Sequence, residues 1–251
     1  MKKFLINNLN FLVGKRNTIT QLVLKKINEK KGFILLPTSL NDLASIDENK
    51  KLREIYQKVD FCVTDGMSLV WFFNFKSLFK REKGMAERIY GPDLMKNILE
   101  FGDINVSHFF YGSSWQTLSN LENYLKKLSP NIKIVKMISP PFRKLTLIEE
   151  ATYIIKIIKS RADVLWIGLS SPKQVELAAR WSHFLPNMKI MCVGAAFDFL
   201  ARRQVMAPKI IQKLGLEWLF RLIMNPVRLW RRYLISIPGY ILKKIYFFFF
   251  S

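Results

Sequence analysis

The chain is short of cysteine, histidine, acidic charge and unbroken apolar runs, and each shortage excludes something. Two cysteines occur in 251 residues, Cys62 and Cys192, each inside an apolar run. They read as small buried side chains of a reducing compartment, not as a disulfide framework. The two histidines, His108 and His183, fall in different segments. No His/Cys spacing suited to a metal exists, so no metal site is expected. Neither the Gly-x-Gly-x-x-Gly dinucleotide fingerprint nor a Gly-rich phosphate loop ending in Lys-Ser/Thr is present. The longest apolar stretch, Tyr233–Phe250, is interrupted by Pro238-Gly239 and Lys243-Lys244. It falls short of the ~20 apolar residues that span a bilayer, and is expected to lie on a membrane, not cross it. Met1–Gly14 opens with two lysines in the manner of a secretion signal, but Asn7, Asn8 and Asn10 interrupt it. No small-x-small cleavage motif follows, so a cytoplasmic chain is expected.

What is abundant is positive charge. Lys and Arg number 40 against 19 Asp and Glu, a formal net charge of +21. Such a balance points to polyanions: nucleic acid, anionic lipid or phosphorylated substrates. From Arg202 to the end there are ten Lys/Arg and one acid, Glu217, interleaved with Trp, Leu, Ile, Phe and Tyr. The apolar content favours a membrane surface over nucleic acid.

Short apolar runs alternate with amphipathic stretches, the pattern of βαβ units and a mostly parallel sheet. Strands are expected at 32–37, 60–64, 108–111, 132–137, 163–168 and 189–193. Helices are expected at 40–46, 50–58, 91–101, 115–127, 147–160 and 173–184. The fold class is α/β, Rossmann-like, with an α/β core over residues 1–200 and a basic amphipathic helical appendage over 201–251. Several strands run into loops containing Gly, Ser or Asp. In open α/β sheets ligands gather at the carboxyl ends of the strands, where loops and helix N-termini converge.

Asp65, in Thr64-Asp65-Gly66, follows a strand. A carboxylate there can act as a general base toward a substrate hydroxyl, or can cap the helix that follows. In Arg88-Ile89-Tyr90-Gly91-Pro92-Asp93, Pro92 marks a helix start and Asp93 suits its first turn. Arg88 lies on the approach to that helix N-terminus, where a phosphate would sit. The loop Gly168-Leu169-Ser170-Ser171-Pro172-Lys173-Gln174 offers donors to a nucleotide or diphosphate, or is a plain βα loop. Gly194-Ala195-Ala196-Phe197-Asp198 ends another strand; its small residues permit close backbone approach, while Phe197 also suits a core.

Taken in order, these motifs resemble the WecG/TagA/CpsF family of glycosyltransferases. The most specific part is C-terminal: Ala207-Pro208, then Gly215-Leu216-Glu217-Trp218-Leu219-Phe220-Arg221-Leu222, then Asn225-Pro226-Val227-Arg228-Leu229-Trp230-Arg231-Arg232-Tyr233. The Tyr111-Gly112 strand end and the motifs above support it, over roughly residues 30 to 235.

The resemblance implies inverting transfer of a sugar from a UDP-sugar to a polyprenyl-diphosphate-linked saccharide in surface-polysaccharide assembly, with no essential metal or other cofactor. It matches Asp65 to the family's catalytic base. It also implies a nucleotide-sugar pocket made from Gly66, Arg88, Gly91, Asp93, Gly112, Gly168, Pro172, Lys173, Gln174, Gly194, Phe197 and Asp198. Thr38 and Asn41, with Arg221, Arg228 and Arg231 of the appendage, would meet the acceptor and its diphosphate. The three arginines share a face if their helix is continuous, although Pro226 predicts a break. The expected partners are the two substrates and the anionic inner face of the plasma membrane, with self-association and without nucleic acid. Departures from the family pattern are Asn41 two residues beyond Ser39, Val175 before Glu176, and Ala201 where Gly is usual. A non-enzymatic basic surface-binding module explains the appendage but leaves Asp65 and the strand-end loops without use. A nucleotide-sugar epimerase or dehydrogenase lacks its glycine fingerprint.

Overall fold

The computed structural model describes residues 2–79 and 86–250; the side chains of Lys2, Phe79, Arg228 and residues 244–250 fall outside that description. Eight strands form one sheet: β1 (Lys2–Ile6), β2 (Leu9–Val13), β3 (Phe33–Thr38), β4 (Phe61–Thr64), β5 (Ser107–Gly112), β6 (Lys133–Ile138), β7 (Val164–Gly168) and β8 (Lys189–Cys192). Their order is β1-β2-β4-β3-β8-β7-β5-β6. Every neighbouring pair is parallel except β1 with β2. The six strands expected from apolar runs are all present, with ends shifted by no more than one residue. Strands β5, β7 and β8 are buried at every position, as a parallel sheet covered on both faces requires.

The hairpin β1–β2 was not among the expected strands. Its two-residue loop is Asn7-Asn8, both left-handed at φ 50° and 62°. Asparagine tolerates that conformation, and a turn positive at both central residues matches the strand twist. The asparagines that break the N-terminal apolar stretch are thus the turn of a hairpin, and Leu9, Phe11 and Leu12 are fully buried.

Helices α1 (Arg16–Ile27), α2 (Leu40–Glu48), α3 (Lys50–Tyr56), α4 (Met67–Phe79), α5 (Gly91–Phe101), α6 (Trp115–Leu128), α7 (Leu147–Ser160) and α8 (Lys173–Trp181) connect the strands, and α9 (Ala196–Leu200) follows β8. Apolar clusters fill both sides of the sheet, one around Phe73, Tyr111 and Trp181, the other around Phe110, Trp166 and Phe197.

Residues 201–250 continue as α10 (Lys209–Lys213), α11 (Glu217–Met224), α12 (Pro226–Trp230), a wide π-helical turn (Arg231–Ser236) and α13 (Ile237–Phe250). The break expected at Pro226 is real: α11 ends at Met224 and Pro226 opens α12 at its first position. The wide turn lies just before Pro238, which has no N–H to donate back along the helix. The tail folds back on the sheet domain, with Tyr240 buried and Lys243 Nζ 2.8 Å from Asp47 Oδ2. No helix among the described residues is long and apolar enough to cross a membrane.

Candidate active site

The strand order changes direction between β3 and β8, so the carboxyl ends of β4, β3 and β8 mark the crevice position at which open α/β sheets take ligands. Asp65 stands there. Its backbone N–H donates to Thr38 O at the end of β3, 3.0 Å away. The following segment is laced to β4: Ile89 N–H donates to Thr64 O at 2.7 Å, and the Thr64 hydroxyl to Glu87 O at 2.8 Å. Farther back, Asn74 of α4 brackets Ala86 with two hydrogen bonds. These bonds bring Arg88, Tyr90 and Gly91 against Asp65.

Asp65 Oδ1 accepts from Gly91 N–H at 3.1 Å. The carboxylate therefore caps α5, from a distance in sequence, and not the α4 that directly follows it. Asp65 Oδ2 has no hydrogen bond among the described residues, and the residue keeps part of its surface exposed. Burial pushes the Asp65 carboxyl upward; Arg88, Arg221 and the Gly91 N–H pull it down, Glu217 adds to the rise, and the net direction is up. A raised carboxylate with one open oxygen is a stronger base than one quenched by an ion pair.

Arg88 Nε donates to the main-chain oxygen of Asp65 at 2.6 Å, and its guanidinium lies 4.0 Å from the centre of the Tyr90 ring. The tail closes over this point. Gln212 Oε1 is 3.4 Å from Arg88 Nη1, and Glu217 pairs with Arg88 on one oxygen and with Arg221 on the other, each at 2.5 Å. Arg221 also donates to the Tyr90 hydroxyl at 3.0 Å and lies over the Phe199 ring. Burial works against the Arg221 charge, but Glu217, Tyr90 and Asp65 outweigh it and hold the guanidinium firmly protonated. Residues scattered over 150 positions thus form one cluster of two arginines, two carboxylates and a tyrosine.

The remaining expected residues divide. Gly194, at φ 58°, donates its N–H to Gln174 Oε1 at 2.9 Å, so the β7 and β8 loops are locked together by a buried glutamine. Gly112, at φ 133°, passes so close to Gly168 that a Cβ would sit 2.5 Å from its carbonyl oxygen. Gly168 in turn makes room for the Phe197 ring, which is core. Asp198 Oδ1 accepts from the hydroxyls of Ser113 and Thr117, tying α9 to the start of α6. Pro172 and Lys173 are exposed at the head of α8, and Gly66 begins the turn into α4, where a Cβ would make only an ordinary contact with Ser68 Oγ at 3.6 Å. Asp93 faces Arg16 of α1 at 3.5 Å, away from the Asp65 cluster. Thr38 is fully buried with its hydroxyl turned back to Leu36 O, and Asn41 is half-buried on the first turn of α2.

Of the three tail arginines, Arg221 alone is seen to join the cluster. The break at Asn225 removes the single helical face that their spacing suggested. Arg231 is exposed over Trp230, while its neighbour Arg232 turns inward to 3.5 Å from Ser39 Oγ at the start of α2. The side chain of Arg228 lies outside the described residues. Sequence reasoning passed over Tyr90, Gln212, Glu217 and Arg232. Glu217 carried a signal: it is the one acid among the ten basic residues of the tail. His108 belongs elsewhere, at the opposite end of the sheet, where burial lowers it to about 4 and Trp166 Nε1–H donates to its neutral ring. Two recesses of about 270 and 80 Å³ also open at that amino-terminal edge, lined by helix C-termini whose dipoles disfavour phosphate.

The profile of the Glycosyl transferase WecG/TagA/CpsF family matches residues 5–247. The chain is 25% identical over 238 residues to a protein of Bacillus spizizenii named N-acetylglucosaminyldiphosphoundecaprenol N-acetyl-beta-D-mannosaminyltransferase, covering 94% of this chain and 88% of the relative. A Bacillus subtilis protein of the same name is 24% identical over 217 residues, covering 86% of this chain and 80% of that one. The aligned span takes in both the sheet crevice and the tail that closes over Asp65, so this chain belongs to the WecG/TagA/CpsF family and is a glycosyltransferase.

Proposed function

We propose that the enzyme transfers N-acetylmannosamine from its UDP conjugate to N-acetylglucosamine carried on a polyprenyl diphosphate, a step in assembling a cell-surface polymer. The names of the two Bacillus relatives support this donor sugar and acceptor. The observation that carries the mechanism is the Asp65 cluster: a carboxylate of raised pKa with one open oxygen beside two guanidiniums.

The acceptor hydroxyl gives its proton to Asp65 Oδ2 as its oxygen attacks the anomeric carbon. The bond from that carbon to the donor phosphate breaks and UDP leaves. Attack opposite the leaving group inverts the centre, so an α-linked donor yields a β-linked product. General-base assistance of this kind contributes ~10²–10⁴-fold. Negative charge growing on the diphosphate is met by Arg88 and Arg221, whose planar forks suit paired phosphate oxygens. Asn41 and Arg232 stand at the start of α2, on the β3 side, where the acceptor sugar would lie, while Thr38 is fully buried beneath them and touches it at most through the backbone. The Gly112, Gly168–Gln174 and Gly194–Asp198 loops complete the donor side. No metal is assigned to the reaction, and turnover that persists in EDTA checks this.

Residues 1–200 are the catalytic core and 201–251 the membrane-associating appendage in this reading. Met224, Val227, Trp230, Leu234 and Ile235 of the tail are exposed among arginines, a composition suited to the inner, anionic face of the plasma membrane. Self-association through the same surface when no bilayer is present belongs to the same reading.

The direct test measures UDP release from a panel of UDP-sugars with a short-chain polyprenyl-diphosphate N-acetylglucosamine acceptor. Acceptor-dependent turnover is expected with UDP-N-acetylmannosamine, falling at least ~10²-fold in Asp65→Ala. Turnover with another donor replaces the sugar assignment; no turnover with any donor removes the reading.

A further inference from the structure

Glu217 is nine-tenths buried inside a tail that carries no other acid. Removing a carboxylate from water costs several kcal/mol unless strong partners compensate. Its partners are the two arginines next to Asp65: Arg88 from the segment before α5, and Arg221 one turn along α11. Through them the tail is fastened to the strand-end crevice.

The arrangement has a chemical consequence. Two guanidiniums packed beside a carboxylate ordinarily form ion pairs with it, and an Asp so paired is a poor base. Here Arg88 meets Asp65 only through its main-chain oxygen, and Arg221 is turned to Tyr90 and Glu217. Neither arginine forms an ion pair with the Asp65 side chain. Glu217 sets a nearer negative charge against both guanidiniums, one on each of its oxygens.

We propose that Glu217 is a positioning residue for sugar transfer: by bridging Arg88 and Arg221 it holds both guanidiniums beside Asp65 but off its carboxylate, leaving Oδ2 open to the acceptor hydroxyl. This rests on Asp65 as the base and on the arginines as diphosphate contacts. The charged and titratable groups that face Asp65 are Arg88 and Tyr90 from the segment before α5, and Arg221 and Glu217 from α11. Tyr90 is pushed above its ordinary value, chiefly by burial, and stays a neutral hydroxyl. With Glu217 neutralised, two positive charges face one negative, and the arginines turn to Asp65. Its ionised form is then favoured and its basicity falls.

The experiment compares Glu217→Gln, Arg221→Gln and Asp65→Asn with wild type, as full-length chains, with UDP-N-acetylmannosamine and the short-chain lipid-diphosphate acceptor. In Glu217→Gln, kcat is expected to fall ~10–100-fold with KM for both substrates within about threefold, since the loss is in the base and not in binding. The acid limb of the kcat/KM profile is expected to move to lower pH by roughly half a unit or more. In Arg221→Gln the limb moves the opposite way, to higher pH, a pair of signs that general destabilisation does not produce. Wild-type kcat and an unmoved limb in Glu217→Gln overturn the proposal, as does a loss confined to KM. If Glu217→Gln gives no cooperative melt, an unmoved limb in Arg221→Gln overturns it. Asp65→Asn tests the underlying reading separately: if it stays active, the base assignment fails whatever Glu217 does. If it is inactive while Glu217→Gln is unaffected, the base stands and the positioning role falls.

Discussion

Asp65 illustrates how a working residue departs from what folding alone would choose. Its pKa is raised, so the folded protein holds that proton more tightly than the unfolded chain does. Stability from this group is therefore present at low pH and is lost as pH rises from the ordinary value of 3.8 through the raised folded value. Above that window the ionised carboxylate works against folding and in favour of catalysis. Asparagine keeps the acceptor oxygen for Gly91 N–H and carries no charge to bury. Asp65→Asn is accordingly expected to lose transfer by ~10²-fold or more, yet to melt at the same temperature as wild type or higher at pH 7–8. The difference should shrink as melts are repeated toward pH 4. A markedly lower melting temperature at neutral pH would mean that the carboxylate is needed for folding and would weaken its assignment as a base tuned by burial.

At the scale of elements, the tail is set by one backbone position. Gly215 ends α10 in the left-handed region at φ 71°, with its N–H donating to Gln212 O and Leu216 N–H to Ile211 O. A Cβ there would fall 2.6 Å from the Trp71 ring of α4 and 3.2 Å from Met67 Cβ. The Trp71 ring is half-exposed and can swing aside, so the cost of Gly215→Ala comes mainly from the backbone, about 1–2 kcal/mol. That cost loosens the turn two residues before Glu217. Turnover is expected to fall several-fold, and the tail to be cut faster than in wild type in limited proteolysis, with little change in the melting of the sheet domain. This element shows what could be read in the sequence. Period and turn residues placed six of the seven strands that pair in parallel and matched α5 and α7 at both ends, because those elements bury a strongly patterned face. The β1–β2 hairpin was missed because its alternation is short and its asparagines read as interruptions. Helix α4 was missed because it is apolar nearly all round, with no polar face to reveal a helical period. Asp65, Arg88 and Arg221 were visible in motifs. That they converge is a property of the β3, β4 and β8 crossing and of the tail's return, which no local pattern encodes.

At the scale of the molecule, the tail that folds back over Asp65 combines arginines with exposed apolar side chains. Gly215 packs on Trp71 of α4, and α4 and the tail each carry exposed apolar side chains, Phe72 and Leu78 on the one, Ile223 and Val227 on the other. In the proposed reaction, an acceptor whose lipid stays in the bilayer must approach Asp65 from the side on which the tail lies. The membrane reading thus extends to α4, a helix of the core, and the tail need not be the whole contact. Two contributions separate experimentally. Basic residues near an anionic surface contribute about 1 kcal/mol each and are screened by salt, whereas apolar insertion is not. Binding to vesicles of anionic lipid is expected to weaken as salt rises and to become small on neutral lipid. Leu78→Glu on α4 replaces an apolar contact with a like-charged repulsion against that lipid. Losing the burial of one leucine, about 1.5–3 kcal/mol, corresponds to roughly 10–100-fold weaker partitioning. Release of UDP with a detergent-soluble acceptor should stay near wild type, because Leu78 is 77% exposed and takes no part in the Asp65 cluster. Unchanged partitioning in Leu78→Glu, with a loss in a matching Val227→Glu variant, would confine the membrane contact to the tail and make the α4 face incidental to it.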